Sequence, residues 1–208
     1  VGPHAMPLDS IANLVGALVA IGETARAQAI VTKTGDDVLA DRPMLGAELA
    51  LARGDRAAAE SWVRRAEAHP SLPVSERVAL AEYWANVGRK ADARRLALAL
   101  AQDPTTPVED MPSLAAVFAE IGATPSDVDL FERIKGRKSV LPLQAAWAIV
   151  AGAAGKSAGV KEWLADALPK ISNQALLANL YFAARAGKLF PMALAVADRL
   201  HAVDGSQR

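Results

Sequence analysis

Cysteine is absent from all 208 residues, which removes disulfide cross-links, thiolate nucleophiles and cysteine-based zinc sites together. A chain without thiols suits either redox compartment, so bacterial cytoplasm and periplasm both stay open as locations. Charge of one sign is lacking too: 23 Lys and Arg balance 23 Asp and Glu. No net field draws the chain to phosphate backbones or anionic lipid, and nucleic acid is not expected as a partner. Apolar runs are short, with Ala145 to Ala154 among the longest, well below the roughly 18–20 residues that span a bilayer. Direct membrane insertion is not expected.

Histidine is scarce. His69 and His201 have no acidic pair at ligand spacing, and His4 falls in residues 1–6, which read as a remnant of a removed expression tag. No metal site and no cofactor are expected. Gly152-Ala153-Ala154-Gly155-Lys156-Ser157 ends like a phosphate-binding loop, but Val150 stands where that motif needs its first glycine, and the lead-in is helical. Aromatics make up only 5% of the chain while 52% of it is hydrophobic. Alanine supplies much of that fraction, so the expected helices pack closely through small side chains.

What is present is a period. Gly22, Gly54, Gly88, Gly122, Gly155 and Gly187 each follow an apolar helical stretch, at spacings of 32, 34, 34, 33 and 32. Polar openings follow them, such as Asp55-Arg56-Ala57 and Arg89-Lys90-Ala91. Each unit therefore reads as helix, glycine turn, helix, with the glycine in the left-handed conformation that commonly ends a helix. Thr106-Pro107 and Thr124-Pro125 place a hydroxyl before a first-turn proline, and Glu109 stands at capping-box spacing from Thr106. Pro70 and Pro104 mark exits from second helices.

Eight and nine residues past the six glycines come Ile30 and Val31, Trp62 and Val63, Leu96 and Ala97, Leu130 and Phe131, Trp163 and Leu164, Ala195 and Val196. All are apolar, which fixes the buried side of each second helix. The register assigns Trp62 and Trp163 to core packing, not to ligand stacking. Arg64-Arg65 and Arg94-Arg95 are expected to lay their stems over apolar surface. The loop Lys135-Gly136-Arg137-Lys138 reads as a solvated basic segment. No β-branched alternating run predicts a strand.

The period, the mid-repeat glycine and the small residues around it resemble the tetratricopeptide repeat. Ala47, Ala81, Ala115 and Ala148 match the small residue seven before the turn, and Ala27, Ala59 and Ala93 match the alanine five after it. Asp127, Val160 and Met192 depart from that pattern, so looser or shifted packing is expected there. The resemblance implies an all-α, right-handed superhelical solenoid of about six helix-turn-helix repeats over residues 7–208. It further implies that first helices line a concave face.

Carrying onto this chain the family's inward positions, six and two residues before each turn glycine, gives Glu48, Glu82, Asn86, Glu120, Tyr181 and Arg185 as partner-binding residues, with Ala116 and Ile149 among the small or apolar positions of the same count. Leu51, on the same wall as Glu48, is expected to bind as well. They lack the Lys, Asn and Arg set with which some family members clamp a terminal carboxylate. They suit instead a protein or peptide carrying apolar anchors and basic residues. The expected function is a protein–protein interaction scaffold, not an enzyme. An alternative is that the chain is a stretch of a bacterial envelope protein serving secretion or exopolysaccharide export, cellulose for example. A further alternative is an enzyme using only carboxylates, Glu82 with Glu120. Self-association through an exposed apolar end is a fourth expectation.

Overall fold

The computed structural model describes residues 7–69, 71–137, 140–186 and 188–205. Pro70, Lys138, Gly187 and the tag-like residues 1–6 lie outside the described residues. Twelve α-helices occur among the described residues, and no strand does. In order they are α1 (Leu8–Ala20), α2 (Thr24–Thr34), α3 (Pro43–Ala52), α4 (Arg56–Ala68), α5 (Val74–Asn86), α6 (Lys90–Gln102), α7 (Met111–Ile121), α8 (Pro125–Arg137), α9 (Leu141–Ala153), α10 (Ser157–Asp166), α11 (Gln174–Ala186) and α12 (Phe190–Gly205). The chain divides into two compact units, residues 1–80 and 81–208, with the boundary inside α5.

The turns between paired helices share one geometry because one backbone problem recurs. Gly22, Gly54, Gly88 and Gly155 all have φ between 75° and 82°. At each, the following amide donates to a carbonyl four residues before the glycine: Glu23 to Leu18, Asp55 to Ala50, Arg89 to Trp84 and Lys156 to Ala151, at 2.8–2.9 Å. These bonds satisfy carbonyls that the ending helix leaves open.

The other two turns differ from the expected series. Gly122 is also left-handed, at φ 96°, but its carbonyl is taken by Arg94 Nη2 at 2.7 Å. In the last pair the left-handed residue is Lys188, at φ 57°. Its amide donates to Arg185, and that of Leu189 donates to Ala184, the same two-bond pattern displaced by one residue. Counted from Lys188, the alanine five places on is Ala193, which is buried. The expected exception at Met192 therefore reflects a shifted turn.

In the first unit, Ala12, Val15 and Leu18 of α1 meet Ala27 and Val31 of α2, the 3-10 turn residues Val38 and Leu39, and Leu45 and Leu49 of α3. Gly46 is needed where α3 meets α4: a Cβ there would lie 2.5–2.9 Å from the indole of Trp62. In the second unit α9 is the central rod. It carries no charged residue, and seven of its residues, from Leu143 to Ala151, are buried. A helix apolar on all sides must be enclosed, and α7, α8, α10 and α11 all pack on it.

Long-range polar contacts correct three expectations. Asp127 does not loosen its site: it is 3% exposed and accepts two bonds from Arg94 Nη1 at 2.8 Å, joining α6 to α8. Arg94 is thus an ion-pair partner as well as a stem over apolar surface, stacking on Phe118 at 5.6 Å. Thr124 and Asp127 cap α8 reciprocally, Thr124 N donating to Asp127 Oδ2 at 2.8 Å. Thr106 makes no such cap: its hydroxyl donates to the Leu100 carbonyl at 2.7 Å, closing α6. A short 3-10 turn, Val108–Asp110, precedes α7 instead.

Candidate functional site

Three first helices of the second unit converge. α7 packs on both α9 and α11, and residues of α5, α7 and α11 enclose a cavity of about 330 Å³. Its polar lining is Glu82 and Asn86 from α5 with Ser113 and Glu120 from α7; its apolar lining includes Val117 and Phe182. Phe182 is 64% exposed, so a large ring stands at the rim with most of its surface in water. The helical period explains the grouping, since Glu82 and Asn86 are one turn apart, as are Ser113, Ala116 and Glu120 in succession.

The inward positions expected from sequence are distributed over several places. Glu82, Asn86 and Glu120 line this cavity. Ile149, at the equivalent position of α9, is fully buried and faces no open space. Tyr181 lines a separate groove, together with Gln174 and Ala178 of α11 and Leu200 and His201 of α12. Arg185 is exposed and stacks on Tyr181 at 5.7 Å. Glu48 and Leu51 lie exposed on α3 of the first unit.

The one-residue shift of the last turn accounts for Tyr181. Six residues before Lys188 is Phe182, and Phe182 shares the cavity with Glu82 and Ala116, each six before its own turn. Counting from Gly187 selects the neighbour, whose ring points to a different groove. The usable signal was Ala193, which restores the alanine match when the turn is placed at Lys188. Ser113 carries no periodic signal, because it stands outside the counted positions.

Electrostatics are most distinctive in the first unit. Glu76 is buried, and its carboxylate accepts a bond from Met44 N at 2.7 Å at the start of α3. Burial raises its pKa, opposed by the Met44 bond and reinforced by the nearby charge of Glu48. Glu48, although exposed as a residue, is also raised, because the protein packed around its carboxyl group removes part of its solvent. Neither carboxylate has a metal-ligand set around it, and no cluster of three or more such ligands occurs among the described residues.

The segment expected as a basic loop is, through Arg137, the last turn of α8 instead, and it is partly committed to structure. Lys135 pairs with Glu132 at 3.0 Å and sits 3.9 Å over the Trp147 ring. Trp163 and Trp84 are buried, and Trp62 packs against the first-unit core. Comparison with protein-family models, with curated proteins and with solved structures returns no match.

Proposed function

We propose that this chain is a tetratricopeptide-like superhelical scaffold that holds a segment of another protein, with the α5/α7/α11 cavity as its specific subsite. The observation that carries the reading is the shared lining: two carboxylates, an amide and a hydroxyl beside an exposed aromatic ring. A volume of about 330 Å³ lies at the small end of ligand-binding cavities and suits one or two side chains. The complementary occupant is a Lys or Arg whose alkyl stem lies on Phe182 while its charged head meets Glu82 and Glu120. An adjacent apolar residue would sit over Val117. Recurrent left-handed turns and the buried alanines Ala47, Ala81, Ala115 and Ala148 support the repeat assignment.

Selection of peptides from a random display library tests this reading. Enriched peptides should pair a basic with an apolar residue. Glu82→Gln or Glu120→Gln should weaken their binding by roughly ten- to a hundredfold, the range for losing a charged hydrogen bond. Peptides without cations, or affinities indifferent to both substitutions, would rule it out. Because Glu82 and Glu120 share one cavity, a carboxylate-based hydrolase is the competing reading. It requires turnover of a screened substrate that Glu82→Gln abolishes.

A further inference from the structure

The groove between α11 and α12 is a second open surface, with a volume of about 620 Å³. Ala178 and Tyr181 form one wall, and Ala197, Leu200 and His201 form the other. On α12, Phe190, Leu194, Ala197 and His201 recur at 4, 3 and 4 residues, the spacing of a seam that receives another helix. Phe190 and Leu194, on the same face of α12 but outside the groove's own lining, are 66% and 65% exposed. Large apolar side chains in a row beside a groove make an exposed apolar packing surface.

The fold itself shows what fills such a groove. At two places in the chain the first helix of the following pair lies against both helices of the pair before it. Thus α3 packs on α1 and α2 in the first unit, and α9 packs on α7 and α8 in the second. The occupant of the α11/α12 groove should accordingly be a helix of about 13 residues with a small, apolar face.

Among the described residues, α1 carries an exposed face of this kind. On α1, Ser10, Leu14 and Ala17, with Ile21 just past the helix, follow the same 4, 3, 4 spacing and are all exposed, Leu14 by 43% and Ile21 by 72%. At 13 residues α1 equals α11 in length, about 20 Å each. Seated as a following first helix, it would run parallel to α11. Ile21 would then meet Phe190, and the exposed Glu23 would lie near Arg185 and Lys188, giving opposite charges at one end of the contact.

We infer that α1 of a second copy of this chain docks in the α11/α12 groove. The contact is heterologous, joining two different surfaces, so each bound copy presents a fresh groove and association is open-ended.

Sedimentation of the full chain over a concentration series, with two complementary variants, tests this. Ala197→Arg blocks the groove and Ala17→Arg blocks the α1 face; Leu194→Glu and Leu14→Glu form a second pair should either arginine disturb folding, as circular dichroism would reveal. The wild type should grow in mass with concentration, and each variant alone should remain monomeric. An equimolar mixture should form a one-to-one dimer and nothing larger, because one variant keeps the face and the other keeps the groove. A wild type that stays monomeric to its solubility limit overturns the inference. So does association indifferent to the variants, or a mixture that fails to pair.

Discussion

Lys188 holds a left-handed backbone at φ 57°, the sole non-glycine to do so among the described residues. A Cβ in that region is strained by about 1 kcal/mol or more. Lys188→Gly should therefore stabilise the chain by roughly 0.5 kcal/mol, the strain relieved exceeding the added freedom of the unfolded state. Urea unfolding of the two proteins checks the sign. Gly46 is the opposite case. Its helical φ needs no glycine, but its proximity to Trp62 does. Gly46→Ala should cost about 1–3 kcal/mol through overpacking, although alanine is the better helix former. Both positions illustrate what a period conveys and what it hides. The left-handed bends at Gly22, Gly54, Gly88, Gly122 and Gly155 were legible, because geometry demanded the same residue each time. The bend at Lys188 was not, since a neighbouring glycine satisfied the same count.

At the scale of elements, two carboxylates tie separate helices together and respond to acid in opposite directions. Asp127 is desolvated, yet bonds from Arg94 and Thr124 outweigh that and hold its pKa below the usual value. The folded state binds this proton less readily than the unfolded state does. Its stabilisation is complete above the unfolded carboxylate range, about pH 4, and is lost as pH falls through the folded value. Asp127→Asn should cost about 2–3 kcal/mol near neutrality, a deficit that shrinks in acid when unfolding is measured at both extremes. Glu76 is raised, chiefly by burial, so its ionisation opposes folding. That penalty is absent below the unfolded value and is complete above the folded one. Glu76→Gln keeps an acceptor for Met44 N and removes the charge; it should stabilise at neutral pH and change little in acid. Neither tie was legible, because Arg94 with Asp127 and Met44 with Glu76 are 33 and 32 residues apart. A repeat count reports equivalence between units, not the bonds that join one to the next.

For the molecule as a whole, the helical class and the pairing of helices followed from apolar spacing and turn chemistry. The closing of α11 onto α7 did not, because it depends on how much each pair rotates relative to the last, and that is set by side-chain volumes at many contacts. This closure brings Phe182 opposite Glu82 and Glu120 and makes a bounded cavity where an open concave face was expected. The claim that this cavity is where a partner is held is tested most directly by nuclear magnetic resonance. The isotopically labelled chain would be titrated with a library-selected peptide carrying one basic and one apolar residue. Saturable shifts should concentrate at the amides of Glu82, Asn86, Ser113, Glu120 and Phe182 and disappear in Glu82→Gln/Glu120→Gln. Shifts confined to other helices, or unchanged by that double substitution, would contradict the account.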